Sequence, residues 1–424
     1  MGTLSANSLW QVLREHGVLS AVEALSDQEA IEMTEKYGAR NYGPLPLNVV
    51  RAKGAFLYDG SGKEYIDCVG CYSAVAHGHL NEYICAQAKA QMEKLTLTSR
   101  AVYTSELALF LKAICEYTGC EKACPMNSGA EAVETAIKLA RKWAYTVKGI
   151  PEGEAEIIAA EGNFHGRTIT IISFSTEEPY REGFSPYTPG FRIVPFGDIE
   201  ALIHAVTPFT AGIILEPIQA EGGIIIPPDG YLEGVRRLCD EHQILLIWDE
   251  IQTGFCRTGK RFAWQWEEAP GDLLCLGKAL GGGLMPVSAV VGRKDVMDVF
   301  TPGDHGSTFG GNPLACTIAL AGIAEMEARN LCENSLKMGD LLLKGLQSLD
   351  HPCIEDVRGR GLLIGLEVRE GTDTDRLSQL FLQNGIVTKE TRKRTFRFAP
   401  PLIIGEDIVH EIVLRVRRSL EGLG

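Results

Sequence analysis

The feature that most constrains this chain is a series of short apolar runs in its middle. They are Glu156–Ala160, Gly212–Leu215, Ile244–Trp248, Leu273–Leu276 and Val287–Val291, separated by stretches of helical pattern. Runs this short suit strands buried on both faces rather than helices. Strands that alternate with helices pair through helical crossovers, so an α/β domain with a largely parallel sheet is expected. Open sheets of this kind gather ligands at the carboxyl ends of their strands. Glu216 follows one run directly, Asp249 follows another, and Lys278 lies just past a third. Three ionisable residues at one sheet edge mark a candidate site.

Lys278 sits in the segment Leu276-Gly277-Lys278-Ala279-Leu280-Gly281-Gly282-Gly283. A single lysine after a strand is ordinarily a surface residue. Burial, however, lowers a lysine's pKa, and a neutral amine is a nucleophile. A lysine that forms an imine and a carboxylate that pairs with a pyridinium nitrogen are the two fixed points of a pyridoxal 5′-phosphate (PLP) site. Lys278 and Asp249 fill those two roles, and both are catalytic candidates.

A helix is expected from Ala130 to about Thr146, because Val133, Ala136, Ile137, Ala140 and Ala144 follow a 3.6-residue period. Ser128 and Glu131 form a capping-box pattern at its start. Free N–H groups and the helix dipole at Ser128-Gly129-Ala130 suit a phosphate, and Gly129 lets the backbone approach closely. Ser307 and Thr308, in a Gly-Ser-Thr loop, offer further hydroxyl and amide donors.

The chain has 424 residues, which suits two or three domains rather than one. The pattern changes after about Met326, giving an N-terminal segment over 1–60, a large domain over 61–325 and a smaller α+β domain over 326–424. A net charge of −14 argues against nucleic acid as a partner. No apolar run reaches the roughly 18 residues of a membrane span. Residues 1–20 lack the basic start and unbroken apolar stretch of a secretory signal, so the expected location is cytoplasmic. On that basis the twelve cysteines are expected to be reduced thiols. Cys68 and Cys71 have a C-x-x-C spacing, but no second pair accompanies them, and no metal site is expected.

Taken together, the motifs carry a resemblance. They include Met126-Asn127-Ser128-Gly129-Ala130-Glu131-Ala132, Gly162-Asn163-Phe164-His165-Gly166-Arg167-Thr168 and Glu216-Pro217-Ile218-Gln219. Trp248-Asp249-Glu250-Ile251-Gln252-Thr253-Gly254, the lysine segment, and His305-Gly306-Ser307-Thr308-Phe309-Gly310-Gly311-Asn312-Pro313 complete the set. From about Gly38 onward the chain resembles the class III aminotransferases (subgroup II) of PLP fold type I, and within them is most similar to the ornithine δ-aminotransferase branch.

The resemblance implies PLP as cofactor, bound by Ser128, Gly129, Ala130, Phe164, His165, Asp249, Gln252, Lys278, Ser307 and Thr308. Phe164 would stack on the pyridine ring, Asp249 would keep the ring nitrogen protonated, and Gln252 would sit near the phenolic oxygen. Thr308 would reach the phosphate of a neighbouring subunit, implying a homodimer with shared active sites and leaving larger assemblies open. Tyr42 would contact the α-amino group of ornithine, Tyr72 would shape that pocket, and Arg167 would hold a substrate carboxylate. Arg397 would bind the α-carboxylate of glutamate or 2-oxoglutarate, shielded by Glu221 while ornithine is bound. The substrates would be small amino and keto acids. Three positions depart from the ornithine branch: His165, Ala220 and Phe309. The amine therefore stays open among ornithine, acetylornithine, lysine and 4-aminobutyrate. A racemase or decarboxylase on the same frame is a more distant alternative.

Overall fold

A computed structural model describes residues 13–15, 17–392 and 394–423. Residues 1–12, on which part of the leader reading and of the 1–60 segment rests, lie outside the described residues. No helix among the described residues is long and apolar enough to cross a membrane.

Three short strands come first: β1 (Arg51–Lys53), β2 (Phe56–Tyr58) and β3 (Glu64–Asp67). The middle of the chain supplies β4 (Lys122–Met126), β5 (Glu156–Ala160), β6 (Phe191–Val194), β7 (Thr210–Leu215), β8 (Leu245–Asp249), β9 (Leu273–Leu276) and β10 (Ser288–Gly292). The C-terminal part adds β11 (Ile354–Arg360), β12 (Leu363–Val368), β13 (Ile386–Val387), β14 (Lys389–Thr391) and β15 (Thr395–Phe398).

The central sheet has the order β4-β10-β9-β8-β7-β5-β6. β9, β8, β7, β5 and β6 run parallel, and β10 runs antiparallel to both of its neighbours. All five runs expected from the sequence are strands of this sheet. β4 and β6, the two edge strands, were not expected; Pro125 interrupts the pattern of β4, and a proline is tolerated there because the strand is at an edge.

Period-two alternation explains why the central strands are apolar throughout. Ile158, Ile213, Leu246, Trp248 and Leu274 face one core, and Ile157, Ile214, Leu245, Ile247 and Leu273 face another. The helix Gly129–Trp143 covers the second face with Val133, Ala136, Ile137 and Ala140. The helix Tyr231–His242 covers the first with Leu232, Val235 and Leu238. Because Asp249 falls two residues after Ile247, its side chain leaves the sheet on the side of the helix Gly129–Trp143.

The C-terminal part forms an antiparallel sheet, β11-β12-β15-β14, beside the helices Leu331–Gln347 and Glu406–Glu421. β13 pairs in parallel with β3, so residues 51–67 and 386–387 share one sheet. Arg257 ties this part to the central one. Its buried Nη1 donates to the carbonyls of Leu362 (2.8 Å) and Pro400 (2.6 Å). The expectation that every cysteine is a free thiol is corrected at two positions, because Cys256 and Cys332 form a disulfide. They lie 76 residues apart in sequence, and only the packing of the turn after β8 against the helix Leu331–Gln347 brings their Cα atoms within 4.3 Å. The other ten cysteines are free.

Candidate active site

Lys278 stands two residues beyond β9, in a left-handed backbone conformation (φ 46°) that opens a short 3₁₀ turn. A non-glycine residue held there stores strain, which accumulates at functional sites. Among the described residues its amine makes no ion pair or hydrogen bond. Burial lowers its pKa to about 8, against the opposing pull of Glu221.

Asp249 closes β8 beside it and is buried. Its Oδ1 accepts the backbone N–H of Ile251 at 3.1 Å, and its Oδ2 lies 2.7 Å from Nδ1 of His165. His165 is therefore directed at Asp249. Burial opposes protonation of this histidine, but the hydrogen bond and charge of Asp249, with Glu216, raise its pKa. Glu216, at the end of β7, accepts the N–H of Phe164 at 3.0 Å. Burial pushes its pKa up to about 8.

At the start of the helix Gly129–Trp143, the Ser128 hydroxyl caps the N–H of Glu131 at 3.3 Å, and the Glu131 carboxylate accepts both the hydroxyl and the N–H of Ser128. The capping box thus engages Ser128 and leaves the amides of Gly129 and Ala130 for an anion. Ser307 Oγ accepts from Asn127 (2.8 Å) and from the Gly310 N–H (3.0 Å), which fixes its loop beside Ser128. Thr308 and Phe309 are exposed.

A second group of side chains surrounds Arg397 on β15. Arg397 is 2% exposed, pairs with Glu221, and lies 4.8 Å from the Tyr72 ring centroid. Gln252 joins the pair, donating to Glu221 Oε1 (3.2 Å) and accepting from Arg397 (3.4 Å). Burial raises the Glu221 pKa, but Arg397 and Lys278, with the hydrogen bonds from Arg397 and Gln252, outweigh it and hold the carboxyl below its usual value. The Thr391 hydroxyl donates to the Glu221 carbonyl and anchors that backbone.

Tyr72 belongs to a left-handed turn in which Gly70, Cys71, Tyr72 and Ser73 all have positive φ. The exposed Tyr42 is within electrostatic reach of Tyr72. Its loop is held where Lys389 donates to the Gly43 carbonyl at 2.9 Å. Arg167 is exposed and lies over the rings of Phe164 and Tyr180.

Sequence reading did not assign roles to Thr391, Tyr180 or Arg257. Thr391 and Tyr180 sit in short elements with no periodic pattern, and Arg257 becomes notable only once it is seen to be buried. These residues fit PLP. Among the described residues the lysine amine is unpaired, the Asp249 carboxylate lies close enough to act on it, and two free amides start a long helix. A mainly parallel sheet carrying this lysine and carboxylate at its strand ends defines a PLP-dependent enzyme of fold type I.

The family model for class III aminotransferases matches residues 37–420. An ornithine aminotransferase of Brevibacillus brevis is 49% identical over 392 residues, covering 92% of this chain and 97% of that protein. A structure of the ornithine aminotransferase of Toxoplasma gondii, with PLP partially occupying its active site, superposes with a TM-score of 0.94. It is 38% identical and covers 100% of this chain and 99% of its own. The acetylornithine aminotransferase of Elizabethkingia anophelis superposes with a TM-score of 0.85 at 40% identity, over 94% of this chain and 100% of its own. The chain belongs to the class III aminotransferases, and its cofactor is PLP.

Proposed function

We propose that this chain transfers the δ-amino group of L-ornithine to 2-oxoglutarate, giving glutamate 5-semialdehyde and glutamate. The semialdehyde then closes to pyrroline-5-carboxylate. The observation that carries this reading is the pair of the buried Arg397 with the half-buried Glu221, beside Lys278 and bridged by Gln252. A transferase that takes a δ-amine in one half-reaction and releases an α-amino acid in the other needs a cation it can hide and expose. With Arg397 paired to Glu221, its charge is not presented to the amine end of ornithine. With Glu221 turned aside, Arg397 can hold an α-carboxylate as a bidentate partner. The identity to ornithine aminotransferases supports the same substrate.

PLP, when bound, supplies the electron sink for the bonds around the reacting carbon. Gly129 and Ala130 would hold its phosphate with their amides, with Thr308 of a second copy of this chain adding a donor. Phe164 would cover one face of the ring, and Asp249 would keep the ring nitrogen protonated. The amine of Lys278, released when substrate binds, would carry the proton to and from the substrate carbon. Arg167 would hold the ornithine carboxylate, and Tyr42 and Tyr72 would frame the α-amino group.

A homodimer is part of the proposal. Leu284, next to the lysine turn, and Phe309, next to Thr308, are exposed apolar residues that a partner subunit would cover. We also assign residues 61–325 to a cofactor-binding domain and 326–424 to a smaller domain, with β3 paired to the latter. A cytoplasmic location is also part of the proposal: ten free cysteines favour a reducing compartment, and the Cys256–Cys332 disulfide weighs against it.

Four amines offered singly to the holoenzyme, with no keto acid present, test this reading. L-Ornithine should convert the bound cofactor faster than N-acetylornithine, L-lysine or 4-aminobutyrate. A faster reaction with any of the other three would overturn the ornithine assignment.

A further inference from the structure

Arg167 carries its charge in an unusual way for an exposed arginine. Its guanidinium carbon lies 4.5 Å from the Tyr180 ring centroid and 5.8 Å from that of Phe164. Those two rings meet edge to face, with centroids 5.9 Å apart and planes at 73°. Arg167 makes no ion pair or side-chain hydrogen bond among the described residues. A guanidinium carried over ring faces rather than by an acidic side chain keeps its N–H donors available to a planar acceptor. An acidic partner would occupy those same donors.

Tyr180 is anchored through its backbone. It belongs to the helix Glu178–Arg181, which has a proline in its first turn, and its N–H donates to the Glu177 carbonyl at 3.0 Å. Glu177 is ion-paired with Arg392, and Arg181 donates to the Ser175 carbonyl at 3.2 Å. The Tyr180 hydroxyl makes no hydrogen bond among the described residues, so the ring face is what Arg167 uses.

We propose that Tyr180 is a positioning residue that sets substrate specificity. Its ring face holds Arg167 with the donor edge turned to the substrate carboxylate, and its contact with Phe164 keeps that donor in register with the cofactor ring. This rests on the reading of Arg167 as the carboxylate holder.

The test compares L-ornithine with 1,4-diaminobutane, the same diamine without a carboxylate, in holoenzymes carrying Tyr180→Leu, Tyr180→Phe and Arg167→Leu. In Tyr180→Leu, KM for ornithine should rise about tenfold, equivalent to about 1.4 kcal/mol. kcat/KM for 1,4-diaminobutane should stay unchanged, and Tyr180→Phe should behave as the wild type. Equilibrium binding of glutarate, followed by calorimetry, should weaken by a similar factor in Tyr180→Leu. If Tyr180→Leu lowers both amines equally, or leaves both unchanged while Arg167→Leu removes the preference for ornithine, Tyr180 does not position Arg167. If Arg167→Leu itself leaves the preference intact, the carboxylate assignment of Arg167 falls instead.

Discussion

Nδ1 of His165 lies 2.7 Å from Oδ2 of Asp249, and both side chains are buried. The imidazole is thus the carboxylate's partner on the side away from the Ile251 amide. A substituent behind Asp249 alters how strongly that carboxylate supports a protonated ring nitrogen. In His165→Leu, kcat should fall by roughly ten- to a hundredfold, the size expected for loss of one hydrogen bond to a charged group. His165→Asn, which can still donate, should recover part of the loss. Parallel titrations of the bound cofactor's absorbance against pH check the cause: the leucine variant should shift that titration and the asparagine variant should shift it less.

Lys278 has its pKa lowered to about 8 by burial. The neutral amine is the reactive form, so its fraction rises as pH rises through the folded-state value. Attachment of PLP to the apoenzyme should accelerate with pH and level off above about 8, well below the range of an ordinary lysine. Stopped-flow absorbance across about pH 6 to 10 gives the profile. Lys278→Ala should abolish turnover.

Glu221 and Arg397 should separate the two half-reactions. Removing one member of a buried ion pair typically costs about 3–5 kcal/mol, because the other charge is left uncompensated. Arg397→Ala should impair the 2-oxoglutarate half-reaction far more than the ornithine half-reaction. Glu221→Gln leaves Arg397 permanently available and should favour α-amino acids over ornithine as donors. Single-turnover rates for each half-reaction decide both.

Glu216 gives a pH signature in stability. Burial raises its folded-state pKa to about 8, from 4.5 for an exposed carboxyl. A raised value means the folded state binds the proton more tightly, so stability is fully present below about 4.5 and declines as pH rises through about 8. Glu216→Gln keeps an acceptor for the Phe164 N–H and removes the titration. Its melting temperature should therefore vary less between about pH 5 and pH 8 than that of the wild type.

Gly339 lies in the helix Leu331–Gln347, where an added Cβ would stand 2.1 Å from the Gly361 carbonyl oxygen. Neither backbone can yield without moving the other element. Gly339→Ala should destabilise the protein by about 1–3 kcal/mol or more, an overpacking effect that thermal or urea unfolding would measure.

Most of the fold's core was legible in the sequence because burial on both faces makes a strand continuously apolar. β5, β7, β8, β9 and β10 all announce themselves in that way, and the helix Gly129–Trp143 does so through its period and its Ser128–Glu131 cap. β4 was hidden by Pro125, and β13 by being only two residues long. In the site, Lys278 and Asp249 stood out because ionisable residues directly after apolar runs fall at the strand ends, where ligands collect.

Other relations are absent from the linear chain. The sequence by itself determined the alternating strands and helices, the reactive lysine and its carboxylate, and the helix start suited to a phosphate. Each depends on residues close together along the chain, where period and spacing suffice. Only the tertiary structure decided that His165 faces Asp249, that Gln252 bridges Glu221 and Arg397, that Arg167 rests on Tyr180, and that Cys256 meets Cys332. Those pairs come from different strands, turns and helices. Their distances are set by how the sheet stacks and how the C-terminal part docks, and no local pattern encodes either.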